Sequence, residues 1–226
     1  YFTNIKIYQI VVCEYRLLTA FEPFDGASIN PSWEIAQQLH QQIIEQTQII
    51  AHCLPCTFAG SLPSLENAIT QHRPDMVIAL GQAGGRTDIT PERVAINWND
   101  ARIPDNAGEQ PYDTPVLADA PAAYFTTLPI KAMVASLQQN GIPASVSYSA
   151  GTFVCNHVFY GLQHLAARYG IAQSGFIHIP YLPEQAAQIK GAPIMAKETL
   201  LRGLQLAIAA ALTHTTDQRI VGGETH

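Results

Sequence analysis

The sequence predicts an α/β protein, a three-layer α/β/α sandwich around a mostly parallel twisted sheet. From residue 16 onward, short apolar runs alternate with longer stretches of helical period. One run, DMVIALG at 75–81, is almost continuously apolar, which is typical of a strand covered on both faces. Strands that alternate with helices favour parallel pairing, with helices on both faces and binding chemistry at the carboxyl ends of the strands.

The first part of the chain predicts three strands and two helices. The run RLLTAF at 16–21 is a predicted strand. Asn30 and Pro31 then supply an N-cap and a first-turn proline for a helix that reaches about residue 45. The other elements predicted here are a strand at 47–54, a helix at 61–72 and a strand at 75–81.

The interval from 82 to 125 breaks this alternation. It holds several prolines, a Gly-Gly pair and scattered charges, and only RVAINW at 93–98 alternates like a short strand. Long irregular segments of compact domains are usually functional loops or lids. Beyond it, the predicted elements are a helix at 127–141, a strand at 142–149, a helix at 155–170, a strand at 174–181 and a helix at about 196–213.

One domain is expected over residues 16–213, because the 226-residue chain has no linker-like tract and no block of charge. Residues 1–15 are expected to form an N-terminal extension, and 214–226 a C-terminal tail. Hydrophobic residues make up 47% and charged residues 13%, which predicts a sizeable core.

The charge pattern argues against two classes of partner. The net charge is −6 and no cluster of Lys and Arg is present, so we expect neither a nucleic acid nor a membrane as partner. The apolar stretch at 204–212 is too short to span a bilayer.

The four cysteines do not suggest a disulfide framework, and with no signal-peptide pattern a cytoplasmic location is expected. The CLPC run at 53–56 has the C-x-x-C spacing of zinc and dithiol sites. However, no second such pair is present, and Cys53 falls within a predicted strand rather than at a helix start. The sequence therefore predicts no metal site.

Cys155 is the candidate nucleophile. It follows SYSAGTFV and opens a predicted helix, so backbone N–H groups and the positive end of the helix dipole should face its sulfur and favour the thiolate. A thiolate attacks a carbonyl when an imidazole in reach handles the proton. The alternative is a buried structural cysteine, since free cysteine is among the most buried residue types.

His178 is the candidate base, because it lies near the end of the strand that follows the Cys155 helix. The alternative is a core histidine bonded to a backbone carbonyl. His157, two positions from Cys155, faces another direction on the helix and is the weaker partner. Composition leaves four carboxylates open for orienting the imidazole: Asp88, Glu92, Asp100 and Asp105.

Four motifs in order carry a family resemblance. They are LLTAFEPFDGASINPSWEIA (17–36), GQAGGRTDITPERVAINWNDARIPDN (81–106), SYSAGTFVCNHVFYG (147–161) and GFIHIPYLPEQ (175–185). Together they resemble the pyrrolidone-carboxylate peptidases, or type I pyroglutamyl peptidases, over roughly residues 16–213. The resemblance implies a Cys-His-Glu triad at Cys155, His178 and Glu92, an α/β/α sandwich, a cytoplasmic location, a homotetramer and no metal or organic cofactor.

The resemblance also implies a substrate and its contacts. The expected reaction is removal of an N-terminal pyroglutamyl residue from peptides through a thioester on the cysteine. The expected pocket is lined by Phe21, Phe24, Phe153 and Val154, with Ile103 beside them and the Gln82 region bonding the lactam. Arg102 is a possible transition-state stabiliser, with a structural ion pair as the alternative.

Overall fold

The computed structural model describes residues 15–187 and 189–223. The expected N-terminal extension therefore lies outside the described residues, apart from Tyr15. The strands are β1 (Tyr15–Phe21), β2 (Ile43–Ile44), β3 (Thr47–Leu54), β4 (Met76–Gln82), β5 (Thr90–Pro91), β6 (Val94–Ile96), β7 (Ala123–Phe125) and β8 (Gln173–Ile179). The helices are α1 (Pro31–Leu39), α2 (Phe58–His72), α3 (Ile130–Gln139), α4 (Val154–Tyr169), α5 (Pro183–Ala186) and α6 (Lys197–Thr213).

The main sheet has the strand order β2-β3-β1-β4-β8-β5. Its four central strands pair in parallel, and β2 and β5 are antiparallel edges. Strands β6 and β7 form a separate two-stranded sheet. The mostly parallel sheet is confirmed.

Two hydrophobic cores lie on opposite faces of this sheet. Neighbouring residues of a strand point to opposite faces, and Ile78 packs in one core while Val77 packs in the other. The Ile78 core contains residues of α1, α3 and α6, whereas the Val77 core contains residues of α2 and α4. The expected three-layer sandwich is confirmed.

Helix α1 is shorter than predicted. Its Asn30 N-cap is confirmed, since the side chain accepts a hydrogen bond from Ser32 N, but the helix ends at Leu39 rather than near residue 45. The next residues turn back, with positive φ angles at Gln41, Glu45 and Gln46. The β-branched pair of β2 then adds to the sheet edge, which helical periodicity did not reveal.

The predicted strand at 142–149 is wrong as a regular strand. The segment is extended but pairs only at isolated bridges, Ile89 with Ala144 and Glu92 with Ser147. Pro143 has no N–H to donate, and the neighbouring strand β5 is only two residues long. The segment nevertheless flanks Glu92, because Arg93 N donates to Ser147 O at 2.7 Å.

The end of the described chain packs on α3. Helix α3 starts after Pro129, which offers no side-chain acceptor. Asp217 supplies one, with its Oδ1 accepting from the N–H groups of Lys131 at 2.9 Å and Ala132 at 3.1 Å. A residue of the expected tail thus caps a helix of the domain. Among the described residues, no helix combines the length and apolarity that crossing a membrane requires.

We expect Asp217→Ala to lower the free energy of unfolding by about 1 kcal/mol, because two N–H groups of the first turn of α3 lose their acceptor. Urea denaturation measures the change. The Asp217→Asn variant is the matched control, since Asn caps helices as well as Asp does and should remain near the wild type. An equal loss in the Asn variant would contradict the capping role.

Candidate active site

Cys155 is the second residue of α4, and its sulfur lies over the carboxyl end of β4. A Cβ added to Gly81 would be 2.9 Å from Cys155 Sγ and 2.6 Å from Phe176 Cζ. A real Cβ does not approach other atoms so closely, so the sulfur occupies its position because residue 81 is glycine. Cys155 as a whole residue is partly exposed.

His178 lies directly opposite Gly81 in the parallel pairing of β4 and β8. Paired residues of neighbouring strands point to the same face, so the imidazole lies on the face that carries Cys155. The Phe176 ring, two residues earlier, packs against the imidazole at 4.8 Å between centroids. The fold thus brings Cys155 and His178 to the same face of the sheet, beside Gly81. Among the described residues, the thiol and the imidazole do not form a hydrogen bond with each other.

Glu92 completes the group. Its Oε1 lies 2.7 Å from Nδ1 of His178, and both side chains are buried. The backbone N–H of Glu92 donates to Phe176 O at 2.9 Å, which holds the carboxylate beside the imidazole. A carboxylate accepts a hydrogen bond, so Nδ1 carries the proton and Nε2 is left with a free lone pair.

Arg86 contacts the same carboxylate and had no assigned role in the sequence prediction. Its Nη1 lies 2.8 Å from Glu92 Oε1, and its Nη2 donates to Ser149 O at 2.9 Å. The one indication of such a contact in the sequence was that this arginine, in the GGRTD segment, lies six positions before the glutamate. The guanidinium compensates the charge of a carboxylate that is fully buried.

The remaining candidate carboxylates have other partners or positions. Asp105 is buried and accepts from Phe58 N at 2.8 Å at the start of α2. Asp88 accepts a hydrogen bond from the Ser145 hydroxyl, and Asp100 is exposed. Of the four, Glu92 is the one whose carboxylate contacts His178.

Burial shifts the pKa values of Cys155 and His178 in the directions that favour their neutral forms. Burial raises the pKa of the Cys155 thiol to about 12, and the negative charge of Glu92 adds to the rise. Burial also lowers the pKa of His178, although the hydrogen bond that its Nδ1–H donates to Glu92 opposes this. For the thiol, this direction runs against the thiolate expected at a helix start, and that expectation stays a prediction.

The pKa of Glu92 moves the other way. Burial alone would raise the pKa of this carboxyl, but the hydrogen bond and charge of His178, with the charge of Arg86, lower it below its ordinary value. Glu92 is thus ionised at neutral pH. An ionised carboxylate on Nδ1 stabilises the imidazolium that forms when Nε2 takes a proton.

The start of α4 supplies hydrogen-bond donors beside the sulfur. Phe153 precedes the helix and gives no side-chain cap. The first intrahelical bond runs from His157 N to Phe153 O, so the N–H groups of residues 154–156 have no acceptor within the helix. Donors in this position can stabilise a developing oxyanion.

A cleft of about 660 Å³ opens next to Gln82, one residue beyond the glycine that contacts the sulfur. Three of the six predicted substrate-binding residues line it, namely Phe24, Gln82 and Ile103, and so does Arg102, the possible transition-state stabiliser.

The other three predicted pocket residues stand behind this wall. Phe153 packs against Phe24 with ring centroids 6.1 Å apart. Phe21 and Val154 are fully buried in the core, where Phe21 contacts Phe176. The structure therefore brings four of the seven side chains to the cleft surface.

The comparisons with known proteins fit this arrangement. A family model described as pyroglutamyl peptidase matches residues 15–214. The chain belongs to the pyroglutamyl peptidase family. The resemblance drawn from the four motifs is thereby confirmed, and with it the expected enzyme class, a hydrolase of the cysteine exopeptidase type.

Similar relatives and solved structures extend over almost the whole chain. Pyrrolidone-carboxylate peptidase 1 of Photorhabdus laumondii is 58% identical over 93% of this chain and 98% of its own. A crystal structure of pyroglutamyl peptidase I from Bacillus amyloliquefaciens has a TM-score of 0.90 at 47% identity, covering 92% of this chain and 99% of the other. Pyrrolidone carboxyl peptidase from Thermococcus litoralis has a TM-score of 0.89 at 37% identity, covering 92% and 99%.

The C-x-x-C pair takes up ordinary positions in this pyroglutamyl peptidase fold. Cys53 lies in β3, as predicted, and burial raises its pKa to about 11. Cys56 is buried, and its N–H donates to Glu22 Oε1 at 3.0 Å. Within the described ranges, no group of three or more His, Cys, Asp or Glu residues could hold a metal ion.

His157 faces away from the pair formed by Glu92 and His178. Its ring is 3.1 Å from Asn99 Oδ1 and makes an edge contact with Phe58 at 5.4 Å between centroids. Burial lowers its pKa to about 4. The expectation that it is the weaker partner of Cys155 agrees with these contacts.

We expect the free energy of unfolding to fall as the pH drops from 6.5 to 4. In this range His157 binds a proton in the unfolded chain, whereas the buried ring of the folded protein stays neutral. This one group adds a slope of at most about 1.4 kcal/mol per pH unit. Urea denaturation of the wild type and His157→Gln across this range tests the idea, since the variant should lose that part of the slope. His178 titrates in both proteins, so equal slopes would contradict the role given to His157.

Proposed function

We propose that this pyroglutamyl peptidase family member removes N-terminal pyroglutamate from peptides through Cys155, His178 and Glu92. The observation that supports the proposal most is the 2.7 Å contact between the buried side chains of Glu92 and His178. His178 pairs with Gly81 of the neighbouring strand, and the sulfur of Cys155 lies against this glycine. Family membership supports the reaction itself.

Attack begins with a proton transfer from Sγ of Cys155 to Nε2 of His178. The sulfur bonds to the pyroglutamyl carbonyl carbon, and the carbonyl oxygen becomes an oxyanion facing the N–H groups at the start of α4. Glu92 stabilises the imidazolium through Nδ1. The imidazole thus serves as the general base that takes the proton of the thiol.

Collapse of the tetrahedral intermediate breaks the peptide C–N bond. Nε2–H of His178 gives its proton to the leaving amine, and a thioester to Cys155 remains. A water molecule then loses a proton to Nε2 and attacks the thioester carbon. The thiolate leaves, regains the proton and releases free pyroglutamate.

The cleft suits a neutral ring. Pyroglutamate has a lactam with one N–H, one carbonyl and no ammonium charge, so its pocket needs apolar walls and amide partners rather than a carboxylate. Phe24 and Ile103 provide apolar wall, and Gln82 provides an amide. The carboxylate residues Asp25 and Glu184 also line this cleft, so the lactam is proposed to bind against Phe24, Ile103 and Gln82.

Phe153 packs against Phe24 of this wall, while Phe21 and Val154 are buried in the core. Arg102, which also lines the cleft, is the candidate for stabilising the transition state.

The remaining parts of the proposal are a single catalytic domain over 16–213, a cytoplasmic homotetramer and a reaction without metal or organic cofactor. They rest on the family resemblance. Analytical ultracentrifugation decides the assembly.

We expect Cys155→Ala to fold normally and to lose nearly all release of 7-amino-4-methylcoumarin from its pyroglutamyl amide, because no other group supplies the acyl acceptor. Iodoacetamide should inactivate the wild type, and a chelator should not. Turnover by the Ala variant equal to that of the wild type would refute the nucleophile, and loss of activity with chelator alone would point to a metal.

We expect Glu92→Gln to lower kcat by about a hundredfold or more, because the imidazolium loses its counter-charge. Asp88→Asn is the matched control, since it neutralises an acidic residue of the same segment that does not contact His178, and it should retain wild-type kcat. Steady-state kinetics on the same amide measure both variants. Equal effects of the two substitutions would argue against a specific role of Glu92.

A further inference from the structure

Gln185 lies in the short helix α5, within the YLPEQ segment to which the proposed reaction gives no role. It makes three hydrogen bonds. Leu182 N donates to its Oε1 at 3.2 Å, and its Nε2 donates to Ile29 O at 3.2 Å and to Gln82 Oε1 at 2.8 Å.

The two backbone partners fix the orientation of the Gln185 amide. A backbone N–H can only donate and a backbone carbonyl can only accept, so the atom that faces Leu182 N is the oxygen and the atom that faces Ile29 O is the nitrogen. Both hydrogens of Nε2 are then used. If the amide were rotated by 180°, its NH₂ would face the N–H of Leu182 and its oxygen would face the carbonyl oxygen of Ile29. Neither pair can form a hydrogen bond.

This orientation passes to Gln82. Since Gln185 donates to Gln82 Oε1, the Nε2 of Gln82 is the free end of that amide, and the described residues provide no acceptor for it. Gln82 lines the cleft and directly follows Gly81, the glycine that the Cys155 sulfur approaches. The group that it presents is therefore a hydrogen-bond donor.

We propose that Gln185 is a positioning residue that holds Gln82 as a donor toward the lactam carbonyl of the substrate. The inference rests on the proposed function. It also gives a basis for specificity, because an N-terminal proline has a CH₂ group in place of this carbonyl and leaves the donor unpaired. Selection of 5-oxoproline over proline then depends on a residue that does not touch the ring.

The test is Gln185→Glu. The carboxylate still accepts from Leu182 N but cannot donate, so Gln82 turns its Nε2 toward residue 185 and presents its oxygen to the lactam carbonyl. We expect KM for the pyroglutamyl coumarin amide to rise about tenfold or more, with kcat within about threefold of wild type, because the lost bond serves binding rather than the chemical step. The iodoacetamide alkylation rate of free Cys155 should be unchanged.

Two further variants separate orientation from local damage. Gln37→Glu makes the same chemical change on an exposed position of α1 and should leave every parameter at the wild-type value. Gln185→Lys keeps a donor for Gln82 Oε1 and should keep KM within about threefold of the wild type. A wild-type KM in Gln185→Glu, or an equal rise in the Glu and Lys variants, would overturn the proposal.

A binding readout keeps this inference distinct from the proposed reaction. Protection of Cys155 from iodoacetamide by 2-pyrrolidinone measures lactam binding without turnover. Absence of hydrolysis by the wild type would refute the proposed function alone. The positioning role would then stand if Gln185→Glu needs about ten times more 2-pyrrolidinone for equal protection, and fall if it needs the same amount.

Discussion

The contact between Glu92 and His178 is the constraint on which the site depends. A carboxylate with no solvent exposure is costly to ionise, and here one imidazole and one guanidinium share the same Oε1. Glu92 is on the antiparallel edge of the sheet, His178 is in the adjacent strand, and Arg86 reaches back from the preceding loop to the Ser149 carbonyl. The arrangement of Glu92, His178 and Arg86 therefore requires the edge of the sheet to be assembled.

The position of Cys155 depends on the same sheet, through strand β4. Gly81 lets the sulfur approach the backbone of β4, and the register of β4 with β8 puts His178 beside it. Neither α4 nor β8 alone sets the position of the sulfur relative to the imidazole. That position depends on the parallel pairing of Gly81 with His178, which are almost a hundred positions apart in the chain.

Local patterns predicted much of this fold, because apolar periodicity and caps such as Asn30 act over a few residues. They failed where the decisive partner is distant. The sequence alone did not identify Glu92 as the partner of Arg86. It also could not show the burial and the nearby Glu92 charge that raise the pKa of the Cys155 thiol. Phe21 and Val154 occupy motif positions that were expected to line the pocket, but only the packing shows that their side chains face the core.

Both outer strands of the main sheet are only two residues long. Strand β2 offers a very short ladder, and β5 is flanked on its outer side by the extended segment that bridges to Ile89 and Glu92. An edge of this kind gives an incoming strand almost nothing to pair with, which protects the molecule from fibril-like association. Within the described residues, the edges of the main sheet therefore offer little surface through which copies of the chain could join.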